Sequence, residues 1–394
     1  ISQYVWSLPD GTTQNAVQLT TELGYGTSNV ALVVTDARLG AGNTSLAIDV
    51  VDTTPPELTN PGRSNYSLCD AGVEPVVLAP PTATDGCTGV SRIWGEATDA
   101  HGARTTFDSG SPVVLGLGNQ VIDWYAEDAA GNVGHTQQVV TVAPAFTTFD
   151  RFDVRDRAQV AISSATGLRP GIVGNAGGSG VEIGANAQVG YVLSRSDVFL
   201  RSNSTVSYDI RTGGHVTRQA GATVGGTVTE GAVPALPSQI TLFAPIPPSA
   251  NGYQFAERGQ VLQLVPGAYG NIIAHPGGVV RLATGRYSFE SIILDSDSAW
   301  EVPAGAQVEI VIRGDLTHRG LFRVIGGGTA SVHLLTYGNN VVLGPMATPT
   351  AWYGWTLEAP NASVTLSNNT YLAQLFAKRV EVAPGLVLAC VASR

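Results

Sequence analysis

Lysine is almost missing from this 394-residue chain: Lys378 stands alone, and the other basic side chains are Arg. Intramolecular Lys–Asn crosslinks therefore have almost no donor. Charge of any kind is scarce, at 13% of residues, and 21 basic groups face 31 acidic ones for a net charge of −10. That balance argues against a nucleic-acid partner, which would demand basic patches, and it repels anionic lipid surfaces. No run of about 18 apolar residues exists, so no segment reads as a membrane-spanning helix. No window of a dozen residues keeps a helical period, which leaves all-β as the expected class. A signal peptide is absent too, and the chain opens on Ile1 rather than Met; the expectation is a trimmed piece of an exported precursor.

What is present is apolar and turn-rich: 43% hydrophobic residues and 47 Gly, with length for two or three domains. The most organised stretch, Val181 to Ala232, repeats itself. Val181, Val198 and Val216 open three lines; Val189, Val206 and Val224 hold their middles; Val192, Ile210 and Val228 sit near their ends. Offsets of 17 or 18 residues carried by β-branched side chains predict a solenoid, here a parallel and right-handed β-helix over 146–394. Each coil should bury four or five apolar side chains, at about 1.5–3 kcal/mol for each large one. A Pro-rich excursion at 233–250 (Pro234, Pro237, Pro245, Pro247, Pro248) is expected to cross the solenoid as a loop. Short apolar strands then resume at wider spacing, from Val261-Leu262 to Leu386-Val387-Leu388.

Before the repeat, residues 1–52 hold three alternating runs, at Tyr4-Val5-Trp6, Val30 to Asp36 and Leu46 to Val50. The phrase YVWSLPDG followed by VALVVTD resembles the later strands of a PKD-type immunoglobulin-like domain. That family places two strands before the Tyr-x-Trp strand, and here they are missing, so the resemblance implies an incomplete sandwich with an open edge. Either the sequence is clipped, or a neighbouring chain supplies a strand. Asp52-Thr53-Thr54-Pro55-Pro56 reads as an extended linker.

Residues 53–145 resemble a hyalin-repeat (HYR) domain, through DTTPP, PTATDGC, VIDWYAEDAAGN and VVTV. The resemblance implies a second immunoglobulin-like sandwich and a disulfide between Cys69 and Cys87, in keeping with an oxidising, exported setting. Cys390 is then left over, either buried and inert or available to another chain. Asp85, Asp99, Asp128 and Asn132 fall on expected loops and offer the oxygen donors calcium takes. The competing reading is that such Asx side chains hydrogen-bond their own turns. Phrases such as LEAPNASVTLSNN and LFAKRVEVAPG resemble β-helical domains of large exported proteins of the myxobacterial type.

Chemistry is hard to find. The motif set of polygalacturonases, which share the β-helix, is absent. Asp295 and Asp297 with Glu301, and Asp315 and His318 with Arg313 and Arg319, are the densest titratable clusters; catalytic residues are assigned to none. Arg313-Gly314-Asp315 spells an integrin-type tripeptide that chance supplies readily. Trp352, Tyr353 and Trp355 could stack on sugar rings or pack against the coil. The C-terminal strand-like LVLACVASR has no polar cap, which predicts an open end there. The functional expectation is a secreted or cell-surface structural protein, a stalk or filament subunit that self-associates through open β edges. An adhesin or polysaccharide-binding module is the alternative, and a polysaccharide lyase or hydrolase a more distant one.

Overall fold

A computed structural model describes residues 1–62, 64–69, 75–98, 104–164, 167–237, 244–345 and 350–391. Every regular element is a β-strand, and among the described residues no helix is long and apolar enough to cross a membrane. The first four strands, β1 (Gln3–Ser7), β2 (Thr13–Asn15), β3 (Gly26–Thr35) and β4 (Ala41–Val50), form one antiparallel sheet in the order β2-β1-β3-β4. One face carries Trp6, Val30, Leu32, Leu46 and Ile48 and lines an open cleft. Val30 is the one hydrophobic residue here that is fully buried. Alternation puts these side chains on one face, and the loop residues Leu19, Thr20, Thr21 and Leu23 line the same cleft.

The next unit contains β5 (Glu57–Thr59), β6 (Ser64–Leu68), β7 (Val76–Val77), β8 (Thr82–Thr84), β9 (Val90–Thr98), β10 (Arg104–Asp108), β11 (Pro112–Val113), β12 (Gly118–Asp128) and β13 (Val133–Pro144). Five of them make the sheet β10-β9-β12-β13-β6, with β7 paired to β11 and β5 to β8. Its separate core gathers Leu68, Leu78, Phe107, Leu115, Ile122, Trp124 and Val140. The buried Trp124 indole N–H donates to Gln138 Oε1 at 2.8 Å, and Gln138 in turn donates to Ser64 Oγ at 2.9 Å. A buried indole thus keeps its hydrogen bond.

From β14 (Phe146–Val154) and β15 (Gln159–Ser164) onward all but one of the strand pairings are parallel, and the chain winds around three walls, one tier per turn. One wall can be followed without a break through eleven strands: Gln254, Ile272, Ile292, Leu316, Val341, Val364, Val380, Phe152, Val181, Val198 and Val216 lie in one column. With neighbouring strands about 4.8 Å apart, the wall is roughly 50 Å long. The valine columns of the repeat pair as their spacing predicts: Val189 on Val206 on Val224, and Val192 on Ile210 on Val228. Between walls the turns are closed by buried polar side chains. Asn175 Oδ1, Ser194 Oγ, Thr212 Oγ1 and Thr336 Oγ1 each accept from the N–H two residues on. At Gly180, φ is +79°, and a Cβ would lie 2.2 Å from the Asp197 carbonyl of the next tier, so only glycine fits.

The order of the column overturns one expectation. The C-terminal strands do not end the stack; they lie in its middle. Val380 pairs with Phe152, and Val387–Val391 pairs with β15, so the last tier rests on the first. The chain enters at mid-stack, climbs to the Val216 tier, and climbs again from Tyr253 to meet its own start. Residues 233–237 and 244–252 lie along the outside of the stack as a strap. Leu236 packs on Ile172 and Leu193, and Ala244 on Val311 and Leu335. The strap's carbonyls accept from Tyr337 Oη at Ala244 (2.5 Å) and from Arg313 at Pro247 (3.1 Å). Val311 and Leu335 face outward, and this cover is why they are buried.

A second correction concerns the cysteines. Cys69 is bonded to Cys390, 321 residues away in sequence, and Cys87 is a free, exposed thiol. The reason is topological. β6 runs parallel to β13, and Ala145 N donates to Leu68 O at 2.8 Å, so Cys69 sits where the chain passes into the stack. Its side chain belongs to the interior of the stack, as does Cys390, which lies opposite Ile162. Neither the proposed pairing with Cys87 nor an unpaired Cys390 survives. The junction of first and last tiers, called the seam below, is further tied by Arg155–Glu381 at 3.0 Å and Arg379–Asp150 at 2.5 Å.

Candidate functional site

Three of the four oxygen-bearing residues singled out from the sequence do converge. Asp85 follows β8, and Asp128 and Asn132 flank the turn between β12 and β13. A residue not foreseen, Asp52 of the linker, joins them: carboxylate oxygens of Asp52, Asp85 and Asp128 lie within 4.8 Å of one another. Asp99 lies outside the described residues. The signal for Asp52 in the sequence is the acidic first residue of Asp52-Thr53-Thr54-Pro55-Pro56.

The same atoms are heavily engaged in turns. Asp85 Oδ1 accepts from the N–H groups of Cys87, Thr88 and Gly89. Asp128 accepts from Ala130 N, Asn132 N and Asn132 Nδ2, while Asn132 Nδ2 also donates to the Asp52 carbonyl at 3.0 Å. Asp52 takes the Thr54 N–H and the Thr88 hydroxyl. The Gly89 N–H leads in holding the Asp85 carboxyl below its usual range, against burial and the charge of Asp128. For Asp128, burial opposes ionisation, but Asn132 and the turn N–H groups outweigh it and the carboxyl is lowered. No ion pair neutralises the three carboxylates among the described residues. Their chemistry suits a hard cation in part, and their hydrogen bonds tie linker, β8–β9 turn and β12–β13 hairpin together.

The aromatic cluster is a correction. Tyr353 is 2% exposed and Trp355 0%, so neither ring offers a face to a saccharide; Trp352's side chain lies outside the described set. Both pack inside the stack with Trp300 and His318, ring centroids 4.3–5.8 Å apart. His318 occupies an inward register held by Leu294 below and Leu343 above. Burial lowers its pKa to about 3. Tyr353 Oη lies 3.2 Å from its Nδ1, and burial drives the tyrosine hydroxyl far above its usual range. The hydroxyl therefore stays protonated. Among the described residues, neither His318 Nε2 nor the Trp300 and Trp355 indole nitrogens has a hydrogen-bond partner.

The titratable groups weighed for catalysis are dispersed. Asp295 Oδ2 meets His275 Nδ1 at 3.2 Å, whereas Glu301 is clasped by Arg281 and Arg323. Asp297 sits at a turn with φ +64°. Asp315 Oδ1 accepts from Asn339 and Asn340 N–H groups, on the far side of the wall from the inward His318. The Arg-Gly-Asp tripeptide is structural, since Arg313 binds Pro247 O and pairs with Glu290.

The ends of the stack differ in kind. Among the described residues, Val216–Arg218 and Val228–Thr229 are in register with the tier before them, and Tyr253–Ala256 and Val261–Leu264 with the tier after them. At the Val216 end, the Glu230 carboxylate accepts the Val216 N–H at 2.6 Å and lies 3.5 Å from His215 Nδ1. Arg218 stands at the register of Leu200 and Ile183. Charge at an inward position and a carboxylate on an edge N–H both discourage strand addition. Among the described residues the Tyr253 end has neither. Its edge strands Tyr253–Ala256 and Val261–Leu264 expose Tyr253 (64%), Phe255 (46%) and Val261 (49%), followed by Val265 (68%). The rings of Tyr253, Phe255 and His275 lie nearly parallel in a row, with centroids 6.2 and 6.0 Å apart.

Comparison with known protein families and with curated proteins finds no match to this chain.

Proposed function

We propose that the chain is a structural subunit of an exported stalk or fibre at a bacterial cell surface. In this reading the two N-terminal units are immunoglobulin-like, the first PKD-like and the second HYR-like. The stack is a right-handed parallel β-helix that associates through its open edge. The observation that carries the proposal is the contrast between the ends. One is closed by Glu230 and Arg218, the other presents an unprotected, apolar strand edge at Tyr253–Ala256. The disulfide adds support, because such bonds persist in oxidising compartments.

The test is microscopy of native surface material together with light scattering of the purified chain. Elongated assemblies that Gln254→Pro shortens, by removing an edge N–H, are expected. A monodisperse monomer at all concentrations, with no surface assemblies, overturns the reading. Polysaccharide binding is the second reading, favoured by the exposed Tyr253–Phe255–His275 row. Retention on surface glycans that Phe255→Ala abolishes would select it.

A further inference from the structure

The outer face of the wall beside the seam carries a grid of polar side chains. Its inward column holds Val364, Val380, Phe152 and Val181, and the residues on either side of that column point out. One outward column runs Ser363, Arg379, Arg151; the other runs Thr365, Glu381, Asp153, Glu182. The ladder of β14 shifts register between Thr148 and Arg151, and that of strand Thr356–Leu366 between Ala359 and Ser363. Strands bend at such shifts. Just past the bend open two hollows of about 440 and 270 Å³, with Asp153 and Arg155 in the walls of both. From Thr365 to Arg201 they cross five tiers, roughly 19 Å along the stack. We propose that this trough binds a neutral polysaccharide chain laid along the stack axis.

The lining decides the class of ligand. Arg151 Nε donates to both Asp153 oxygens, at 2.8 and 2.9 Å, and its Nη2 donates to Glu182. Glu182 also takes Arg201, and Glu381 takes Arg155 at 3.0 Å. Guanidinium and carboxylate groups therefore stand side by side along the trough, and their charges nearly cancel. A polyanion meets the carboxylates there, and a polycation the guanidinium groups. An apolar ligand finds nothing to cover, because Val364 and Val380 face inward and are buried. A chain of hydroxyls, each both donor and acceptor, matches the two columns at once.

The ion pairs hold these side chains in place before any ligand arrives, which lowers the cost of ordering them. They do not exhaust them. Among the described residues, no hydrogen bond engages the terminal nitrogens of Arg155 or Arg379, or the second Glu381 oxygen. Burial raises the Asp153 carboxyl even though Arg151 opposes it, which marks an acceptor short of donors. The trough shares no residue with the Tyr253 edge. It stands apart from the stalk reading and from glycan binding at the Tyr253–Phe255–His275 row.

The test is electrophoresis of the full chain through native gels containing dextran, laminarin or galactomannan, with polygalacturonate as the acidic counterpart. At least one neutral glycan is expected to slow the wild type. Arg155→Ala should weaken that retardation about tenfold, by removing a charged donor. Thr365→Trp should weaken it at least as much by filling the trough, while leaving every ion pair in place. Both variants should melt close to the wild type, since Arg155–Glu381 is an exposed pair and Thr365 points outward. Phe255→Ala should leave the retardation unchanged, which separates the trough from the Tyr253 row. No retardation by any neutral glycan, retardation by polygalacturonate alone, or retardation that either trough variant leaves intact overturns the proposal.

Discussion

Replacing His318 by leucine should remove a large part of the protein's sensitivity to acid. The side chain is buried, its column neighbours are Leu294 and Leu343, and its pKa is lowered to about 3. In the unfolded chain an imidazole titrates near pH 6.5. Below that pH the unfolded state takes up a proton that the folded state refuses, so stability falls as pH falls. The loss is about 1.4 kcal/mol per pH unit and levels off near the folded pKa. Between pH 7.5 and pH 5 the wild type should lose about 2 kcal/mol through this one group. His318→Leu should lose about 2 kcal/mol less over the same interval. At pH 7.5 the substitution should be nearly neutral. It removes a buried imidazole Nε2 that has no partner among the described residues, and it breaks the 3.2 Å contact with the Tyr353 hydroxyl, each worth about 1–3 kcal/mol. Urea unfolding followed by tryptophan fluorescence suits the measurement, because Trp300 and Trp355 touch the site. Equal losses for the two proteins between the two pH values would refute the reasoning.

Thiol titration of the denatured, unreduced protein should find one free cysteine per chain, and peptide mapping should place it at Cys87 and the bond at Cys69–Cys390. Cys390→Ser should lower the melting temperature, since the bond closes a loop worth on the order of 5 kcal/mol in the chain-entropy model. Cys87 should alkylate slowly for an exposed thiol, because local burial and then the charges of Asp52, Asp85 and Asp128 hold its pKa up. Asp52→Asn should quicken the reaction with iodoacetamide at pH 8, and an unchanged rate would discount the carboxylates.

How far the sequence discloses this fold depends on how local the determining contacts are. Val181, Val198 and Val216 advertise their pairing because tiers next to each other in the chain are next to each other in space. The pairing of Phe152 with Val380 has no such signal. It arises because two edges left open at the ends of a long excursion find each other, and no period bridges residues 232 and 374. The cysteines fail for the same reason, their partnership being set by that seam. Tyr353 and Trp355 fail differently: Gly354 between them has φ +63°, and alternation alone does not reveal which side of the wall each ring takes. The polar corner was legible in principle, as Asn, Ser or Thr followed two residues later by Gly or Ser, at Asn175, Ser194 and Thr212. The acidic corner was legible except for Asp52, whose role depends on a linker folding back against β8 and β12.

The place of the disulfide has a mechanical consequence. The chain enters the stack and leaves it at neighbouring points, and the bond between Cys69 and Cys390 spans those points directly. A pull applied to the chain outside the two cysteines is borne by that bond and never reaches the tiers between them. The stack hangs beside the line of tension as a sealed side loop. It can be unwound by reduction, heat or acid, but not by force transmitted along its own backbone.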